Sequence, residues 1–530
     1  MDMTIQEPRK EIFQKIKRES WDIVIVGGGI TGAGILREAA HLNLKALLVE
    51  QRDFAWGTSS RSTKMIHGGL RYLKEGNFIL TYKSVRERQN LLQEIPGLAN
   101  DKAFILPVYK GKLFQRFLIH VGLIVYNLLA GRWKRNLSSL KELSKLVPSI
   151  KQKDLQAGFL INDAITDDAR LVLRVIAEAT REDTTAINYC RATRLLKQGG
   201  HVSGVVLQDT ETGETIDVKS RLVINATGAW VDKLRAEVEK SNSQKIRPLR
   251  GSHLIFSKEK IPLQHNFLTM HPKDGRPVTI LSWEGRILVG TTDIDHPYDL
   301  NQEPTISPEE VVYLLETVNY LFPGLKVKKE DIIATVAGIR PVVDSGKKDP
   351  SKESRDYAIW KEGGLLTVTG GKLTTFRITA LDVLAEAQEY IGALPDVQKK
   401  RKIFSRHNQT VPKSCSLKKE QVKRLQGRYG ENFKQLIENA TDAELETIPG
   451  TLTVWAELRW AAQNESVIHL EDLMLRRTRL GLLLCNGGDE ILPRIRKICQ
   501  PILGWTDEKW QNEALAYLNL WKQCYSVPKF

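Results

Sequence analysis

The sequence has 530 residues, of which 42% are hydrophobic, and 78 Lys and Arg against 63 Asp and Glu give a formal net charge of +15. This length exceeds the ~250–300 residues that one hydrophobic core supports, so more than one domain is predicted. The positive charge favours anionic partners such as nucleic acid, acidic lipid or phosphorylated substrates without choosing among them. The five scattered cysteines form no CxxC pair, which argues against a disulfide framework, a zinc knuckle or an iron–sulfur cluster and fits a reducing cytosol.

The first twenty residues form a basic tail that lacks the apolar core of a secretory signal. The longest apolar run, 117–131, is shorter than a bilayer span and contains His120 and Asn127. No transmembrane helix is therefore predicted.

A glycine-rich turn follows the first predicted strand. In "WDIVIVGGGITGAG" an apolar, β-branched run predicts a buried parallel strand, and Gly27, Gly29 and Gly32 follow it with GxGxxG spacing. Gly27 permits the tight turn, Gly29 lets the backbone approach a pyrophosphate, and Gly32 lets the next helix lie close to the strand. The N-terminus of that helix offers N–H groups to phosphate oxygens.

A second predicted strand, "KALLVE", ends at Glu50, about 20 residues beyond the glycines, where a carboxylate accepts hydrogen bonds from a ribose diol. The glycine spacing alone is weak evidence. Strand, glycines, helix, second strand and terminal acid together predict a dinucleotide-binding unit.

Further strand-and-turn segments follow at 221–234, 282–295 and 363–387, and they predict one interleaved α/β unit. After about residue 395 helical periodicity dominates. We expect a linker at 393–415, which contains two prolines, and then a helical domain.

The predicted cofactor contacts recur at 27–64, 226–230 and 370–376. Such wrapping suits a long, tightly held FAD better than an exchangeable NAD, which stays the alternative on the residues alone. The "TGGKLTTF" turn opens another helix, whose N-terminus would stabilise negative charge on a reduced flavin ring.

Several motifs, in chain order, resemble those of the FAD-dependent glycerol-3-phosphate dehydrogenases of bacteria and mitochondria. They are "IVGGGITGAGILREAA", "GTSSRSTKMIHGGLRYL", "DDARL", "NATGAWVD", "RGSHLIF", "GTTD", "AGIRP", "SRDYAI" and "GGKLTTF". The resemblance covers roughly 21–390, and "EDLMLRRTRLG" (471–481) is similar to that family's helical C-terminal domain. Glycerol-3-phosphate oxidases share much of this pattern.

The resemblance implies an α/β fold of the D-amino-acid-oxidase type. A Rossmann-like FAD-binding domain is interleaved with an antiparallel-sheet substrate domain, and an all-helical C-terminal domain follows. The expected boundaries are 21–80, 155–245 and 335–392 for the FAD-binding domain, 81–154 and 246–334 for the substrate domain, and 416–530 for the helical domain.

The site residues come from the glycine motif and from the resemblance. The expected FAD contacts are Gly27, Gly29, Ile30, Thr31, Gly32, Glu50, Thr58, Ser59, Ser62, Lys64, Met65, Ala192, Ala226, Thr227, Gly228, Trp230, Gly371, Lys372, Leu373 and Thr374. By the same resemblance Lys64 would lie near the flavin ring, and His67, Arg71 and Tyr72 would face the substrate.

Four cations lie on four separate turns, as a closed pocket for a phosphate dianion requires. They are Arg71, Arg340, Arg355 and Lys372. Taken singly, each fits a solvated surface residue better. As a group in family order they predict a substrate phosphate site.

Oxidation of a secondary alcohol also needs a base for the hydroxyl proton, and His67 and His253 are the candidates. The sequence does not decide between them. We favour His67 as the base and His253 as a second polar contact, with Arg340 orienting the hydroxyl and stabilising the developing ketone oxygen.

The resemblance implies oxidation of sn-glycerol 3-phosphate to dihydroxyacetone phosphate, with electrons passing to a membrane quinone. It also implies a cytoplasmic enzyme held peripherally on the inner face of the cell membrane; a homodimer is one expected assembly. The basic tail and the 117–131 run are candidate contacts with an anionic bilayer surface. The alternatives are an oxidase that releases hydrogen peroxide, an amine or amino-acid oxidase, and a flavin-binding sensor or structural protein without catalysis.

Metal and nucleic-acid binding are not expected. His265, His271 and His296 lie on separate segments without the spacing of metal ligands. The basic run "LRRTRL" alternates with apolar residues, which predicts a helix that is packed on one face and solvated on the other.

Overall fold

A computed structural model describes residues 9–69, 78–110, 137–138, 140–239, 244–347, 353, 356–395, 397, 401–405 and 417–530. These residues form eighteen strands and fourteen α-helices. The strands are Trp21–Val26 (β1), Ala46–Val49 (β2), Met65–Ile66 (β3), Asn100–Tyr109 (β4), Leu137–Ser138 (β5), Leu155–Ile165 (β6), Thr184–Ile187 (β7), Cys190–Gln198 (β8), His201–Asp209 (β9), Thr215–Asn225 (β10), Ile246–Phe256 (β11), Asn266–Met270 (β12), Pro277–Trp283 (β13), Arg286–Gly290 (β14), Ile294–Asp295 (β15), Ile332–Val343 (β16), Ala358–Glu362 (β17) and Leu365–Thr369 (β18). The helices are Arg9–Arg18 (α1), Ile30–His41 (α2), Phe78–Glu94 (α3), Leu140–Leu146 (α4), Asp168–Ala179 (α5), Val231–Arg235 (α6), Pro308–Leu321 (α7), Phe376–Ile391 (α8), Lys419–Tyr429 (α9), Phe433–Glu438 (α10), Trp455–Asn464 (α11), Leu480–Leu483 (α12), Leu492–Leu503 (α13) and Asp507–Cys524 (α14).

The first sheet has the order β17-β18-β10-β1-β2-β7, and β8 and β9 extend it through β10. Strand β1 runs parallel to both β10 and β2, and β2 runs parallel to β7. Apolar clusters cover both faces of this sheet, and helices α2, α5 and α8 contribute to one of them. Parallel strands buried on both faces are typical of a Rossmann-like layer, as the glycine motif predicts.

The second sheet has the order β15-β11-β14-β13-β12-β4-β6-β3, with β16 paired to β11 and β5 paired to β6. The long antiparallel pair of β11 and β16 carries the "RGSHLIF" and "AGIRP" motifs. Strands β6 and β16 fall within the predicted FAD-binding boundaries, but their backbone hydrogen bonds place them in the second sheet. This pairing does not define a domain boundary, so the expected boundaries stay a prediction.

Helix α1 packs against the first sheet. Its Phe13 and Ile16 are buried in the apolar cluster that includes Trp21 and Val24. These two side chains therefore belong to the protein core and are not available to a bilayer. The 117–131 run lies outside the described residues.

The C-terminal helices pack on one face of the second sheet. Phe104 and Ile255 of that sheet share an apolar cluster with Leu473, Trp510 and Tyr517 of the helical region. The arginines of "LRRTRL" occupy a π-helical turn (Asp472–Arg477) and the residues after it. Arg476, Arg477 and Arg479 are each no more than 1% exposed, so the prediction of a solvated face for this run is wrong.

The described part of the predicted linker belongs to the core of the first domain. Val397, Ile403 and Phe404 are buried in the same cluster as helices α2 and α8. The backbone N–H groups of Ile403 and Phe404 donate to the Glu94 carboxylate at 3.0 and 3.3 Å.

Candidate functional site

The glycine turn after β1 leaves no room for side chains at two of its positions. Gly27 has φ +119°, and a Cβ built on it would lie 2.5 Å from the carbonyl oxygen of Ala226. A Cβ on Gly32 would lie 1.9 Å from the carbonyl oxygen of Gly27. At Gly29 the nearest atom is the Ser59 hydroxyl at 3.2 Å, so this position faces more open space. These are the roles that the GxGxxG spacing predicts.

The carboxylate of Glu50 is held at the end of β2. It accepts the backbone N–H of Gly28 at 2.7 Å and that of Arg52 at 2.9 Å. Burial raises the pKa of Glu50, although these two N–H groups oppose the shift. At the start of α2 the N–H of Ile30 donates to the Ser59 hydroxyl at 2.9 Å, and Thr31 follows in the same first turn.

The "ATGAW" turn after β10 lies next to the glycine turn. The Ala226 N–H donates to the Val26 carbonyl at 2.9 Å, and Gly228 has φ +61°. The side-chain oxygen of Thr227 donates to Asn225 at 2.7 Å. The Trp230 ring lies 5.8 Å from that of Trp56, and its buried indole N–H has no hydrogen-bond partner among the described residues.

Together these elements fit an extended dinucleotide cofactor. Two glycines are closed to any side chain, a helix N-terminus is capped by Gly29, which has no side-chain acceptor, and one buried N–H is unsatisfied. A diphosphate needs backbone N–H groups and close approach, and a helix N-terminus supplies both.

The serine-rich loop, residues 57–64, crosses from this turn to the second sheet. The Thr58 hydroxyl donates to the carbonyl of Ile339, next to Arg340 on β16. The Ser62 N–H and hydroxyl donate to Asp168 at 2.9 and 2.7 Å. The loop therefore lies between the first sheet, β16 and the N-terminus of α5.

Lys64 ends this loop with an enclosed ammonium group. Its Nζ lies 2.8 Å from both carboxylate oxygens of Asp168 and 2.6 Å from the Ser60 carbonyl, and the side chain is 0% exposed. Burial lowers the pKa of Lys64 to about 8. The negative charge of Asp168 only partly offsets this effect, and the positive charge of Arg479 lowers the pKa further. The ammonium is thus already occupied, and the structure does not show it facing an open flavin site.

His253 lies beside this loop, on β11. Its Nε2 is 3.1 Å from the Thr63 hydroxyl, and its Nδ1 has no partner among the described residues. Burial, together with the positive charges of Lys64 and Arg340, holds the pKa of His253 well below its ordinary value. A Cβ at Gly290 would lie 2.2 Å from the ring, so the glycine makes room for a neutral imidazole.

Arg340 is brought to the same place by β16. It donates to the Asp293 carboxylate and the Thr291 hydroxyl, both at 2.8 Å, and to the Thr292 carbonyl at 3.2 Å. A Cβ at Gly251 would lie 2.3 Å from the guanidinium. The side chain remains 21% exposed, so it is anchored without being enclosed.

His67 comes from the segment that follows the loop. Its backbone N–H donates to the Thr374 hydroxyl at 3.1 Å, and that hydroxyl lies 3.3 Å from the His67 carbonyl. This contact joins the segment to the "GGKLTTF" turn, where Gly371 has φ +79° and Lys372 and Leu373 are partly buried.

The remaining predicted residues are more scattered. Met65 is partly buried on β3, and Ala192 on β8 pairs with Leu207. Three of the predicted substrate contacts, Arg71, Tyr72 and Arg355, lie outside the described residues.

The sequence reasoning missed the residues that hold the predicted ones. Thr291 and Asp293 anchor Arg340, Thr63 meets His253, and Asp168 binds Lys64 and Ser62. The signal for all four was present, because each lies in a motif that resembles the family: Thr291 and Asp293 in "GTTD", Asp168 in "DDARL" and Thr63 in "GTSSRSTKMIHGGLRYL".

The described part of the chain has no helix with the length and hydropathy to cross a bilayer. Within the same residues, no group of three His, Cys, Asp or Glu side chains is placed to hold a metal ion.

Two family models match consecutive parts of the chain. Residues 22–377 match the FAD dependent oxidoreductase family, and residues 387–510 match the C-terminal domain of alpha-glycerophosphate oxidase. An aerobic glycerol-3-phosphate dehydrogenase of Staphylococcus haemolyticus is 34% identical, over 98% of this chain and 97% of its own. The corresponding Staphylococcus epidermidis protein is 35% identical over 91% and 90%.

The chain belongs to the FAD-dependent glycerol-3-phosphate dehydrogenase and oxidase family. FAD is therefore its cofactor, as predicted.

Solved structures confirm the fold class. The glycerol-3-phosphate dehydrogenase from Bacillus halodurans, complexed with FAD, superposes with a TM-score of 0.76 at 24% identity, over 98% of each chain. An L-alpha-glycerophosphate oxidase from Mycoplasma pneumoniae gives 0.56 at 18% identity, over 70% of this chain and 95% of its own.

Proposed function

We propose that the protein oxidises sn-glycerol 3-phosphate to dihydroxyacetone phosphate and passes the electrons to a membrane quinone. The observation that carries the proposal is the convergence of His253 and Arg340 beside the serine-rich loop, in a chain of this family. FAD, when bound, supplies the acceptor for the hydride from C2 of the substrate. The protein's own residues must then orient the alcohol, remove its proton and hold its phosphate.

Arg340 is the group that we assign to the reacting oxygen. Asp293 and Thr291 fix its guanidinium, and the missing side chain of Gly251 makes room for it. A fixed cation next to a carbon–oxygen bond that becomes a ketone stabilises the charge that develops on the oxygen.

Both histidines stay candidates for the base. His253 is buried with a lowered pKa, so its imidazole is neutral and able to accept the hydroxyl proton. His67 is partly buried on a segment tied to Thr374, which suits a residue that faces a bound substrate. Lys372, with Arg71 and Arg355 from outside the described residues, is proposed for the phosphate.

The identity of the electron acceptor rests on the relatives. The aerobic dehydrogenases among them favour quinone, and the net charge of +15 favours a peripheral position on an anionic membrane. The match of residues 387–510 to an oxidase domain favours oxygen as the second candidate, with hydrogen peroxide as its product.

The test is to mix the purified, FAD-loaded protein with sn-glycerol 3-phosphate without oxygen. Reduction of the flavin is measured as the loss of its visible absorbance. Addition of quinone or oxygen to the reduced protein then identifies the acceptor, and peroxide release would favour the oxidase. A flavin that does not bleach would remove the substrate from the proposal.

Variants of the reduced-flavin assay test the assigned roles. Arg340→Gln should retain FAD and slow reduction about 10²–10³-fold. Arg247→Gln, a change on β11 at a surface pair with Asp295, is the matched control and should react normally. Of His67→Gln and His253→Gln, the variant that removes the base should slow reduction about 10²–10⁴-fold. Equal, small losses in both would mean that neither is the base.

A further inference from the structure

The serine-rich loop is held by one shared carboxylate. Asp168 accepts hydrogen bonds from the Ser62 N–H and hydroxyl and pairs with the Lys64 ammonium, and it is fully buried at the start of α5. A buried carboxylate needs such partners because an unpaired charge in the interior is costly. The position of Asp168 therefore determines where the loop and its lysine can lie.

Arg479 of the C-terminal domain reaches this carboxylate. Its Nη2 pairs with Asp168 and donates to the Ser60 carbonyl at 3.0 Å, while its Nε donates to Asp167 at 3.0 Å. Its Nη1 donates to the Leu475 carbonyl at 2.7 Å. All three guanidinium nitrogens are thus engaged, and two of the contacts fall on the loop or on its carboxylate partner.

Two neighbouring arginines make the equivalent contact at the other cofactor segment. Asp53, three residues beyond Glu50, is buried and pairs with Arg476 and with Arg477, whose Nη2 lies 2.7 Å away. The segment Glu50–Asp53 and the serine-rich loop are therefore both held from residues 476–479.

A third contact comes from the end of the same domain. The Tyr525 hydroxyl lies 3.3 Å from the Arg61 guanidinium in the loop. The N–H of Thr335 on β16 donates to the Tyr525 carbonyl at 2.7 Å, which fixes the tyrosine against the second sheet.

We propose that Arg479 is a positioning residue of the flavin site, which acts through Asp168 and the Ser60 carbonyl on the serine-rich loop and Lys64. The inference assigns a role to the C-terminal domain: it completes the cofactor site from outside. It rests on the proposal that the serine-rich loop contacts FAD. A planar guanidinium suits this role because it bonds two carboxylates and a carbonyl in fixed directions, which an ammonium group does not.

The experiment compares Arg479→Gln with Arg424→Gln in the full chain. Arg424 is a matched control because it is also a buried arginine of the C-terminal domain, paired with Glu457 at 2.7 Å and Glu284 at 2.8 Å, and it contacts neither Asp53 nor Asp168. The measurements are the FAD dissociation constant, the visible absorption and circular dichroism of bound FAD, and urea unfolding of the FAD-free protein.

Both variants should lower the urea midpoint of the FAD-free protein, since each removes a buried cation. Only Arg479→Gln should also weaken FAD binding at least tenfold and change the visible flavin spectrum. Arg479→Lys should restore part of the affinity, because lysine keeps the charge but not the directed bonds. If either glutamine variant fails to fold, Arg479→Lys and Arg424→Lys are compared by the same readouts.

Equal FAD affinities and identical flavin spectra for the position 479 and position 424 variants would overturn the inference and leave Arg479 a purely structural residue. These readouts do not involve glycerol 3-phosphate. Failure of the wild-type protein to be reduced by that substrate would therefore count against the proposed function alone.

Discussion

The glycine turn at 27–32 and the arginine segment at 476–479 contact neighbouring parts of one site by different means. The turn works through the backbone: two positions exclude any side chain, and the helix that follows is capped by Gly29, which has no side-chain acceptor. The arginine segment works through side chains, each of which pairs with a buried carboxylate far away in the sequence. The glycine turn therefore depends on the absence of side chains at Gly27 and Gly32. The arginine segment depends on buried ion pairs, in which each charge needs its partner.

This difference predicts how each region tolerates change. A backbone constraint fails when any atom is added, whereas a buried ion pair fails when one charge is removed and the other is left alone. Four predictions follow the contrast from the largest expected effect to the smallest.

Gly32→Ala should prevent formation of the FAD-bound protein. The added Cβ would lie 1.9 Å from the Gly27 carbonyl oxygen, so the helix and strand must separate, at a cost of more than about 4 kcal/mol. FAD content and thermal unfolding of the purified protein measure this. Gly29→Ala is the control, since its Cβ meets only the Ser59 hydroxyl at 3.2 Å and the protein should fold. A stable, yellow Gly32→Ala protein would contradict the close helix–strand contact.

Asp53→Asn should lower the free energy of unfolding by about 3–5 kcal/mol, because Arg476 and Arg477 lose their shared carboxylate. Asp295→Asn, which loosens an exposed pair with Arg247, should cost less than about 1 kcal/mol in the same urea experiment.

The pH dependence sharpens this prediction. Burial opposes ionisation of Asp53, but Arg477 and Arg476 outweigh it and lower its pKa to about 2. The ionised Asp53 carboxylate therefore makes its full contribution to the free energy of unfolding above the ordinary pKa of about 4. This contribution is lost as the pH falls through about 2. A difference between wild type and Asp53→Asn that does not shrink over this range would contradict the assignment.

Glu50→Gln should weaken FAD binding about tenfold, or ~1–2 kcal/mol, because the amide cannot accept both the Gly28 and Arg52 N–H groups as the carboxylate does. Titration of the FAD-free protein with FAD measures the change. Glu214→Gln, at an exposed side chain in the turn before β10, should leave the affinity unaltered.

His469→Gln should have the smallest effect, about 1 kcal/mol at neutral pH, because water screens this partly exposed cluster and removes most of the stabilisation that the pKa shift alone would imply. His469 lies 2.9 Å from Glu513 within the C-terminal domain and 3.4 Å from Glu211 of the first domain. Burial alone would lower its pKa, but the hydrogen bonds to Glu211 and Glu513 raise it to about 10.

A raised folded-state pKa stabilises the protein most below the ordinary value, about 6.5, and the effect is lost as the pH rises through about 10. Unfolding midpoints of wild type and His469→Gln should therefore differ at pH 6 and converge above pH 10. A constant difference would place the effect elsewhere than in the charge of the imidazolium.

The parts of the fold that follow from local patterns were predictable. The strand, the glycine turn and Glu50 can be recognised from one short stretch of sequence. The structure confirms the predicted α/β fold, and the family comparison confirms FAD. The segment 221–234 was also recognised, and β10 lies directly beside β1.

The parts that depend on distant partners were not predictable in the same way. Arg477 pairs with Asp53 and Arg479 with Asp168, in each case more than 300 residues away. A local alternation of basic and apolar residues does not indicate such distant partners. Helix α1 shows a related limit: an amphipathic pattern does not say whether its apolar face meets lipid or, as here, a protein core.

The buried aspartates that pair with the arginine segment are synthesised long before those arginines. The ribosome releases Asp53, Asp167 and Asp168 early, whereas Arg477 and Arg479, which pair with them, emerge more than 300 residues later. The first sheet itself waits for β18, which ends at Thr369. Long-range pairing of this kind is slow to form. These ion pairs can therefore form only once the chain has been made as far as Arg479.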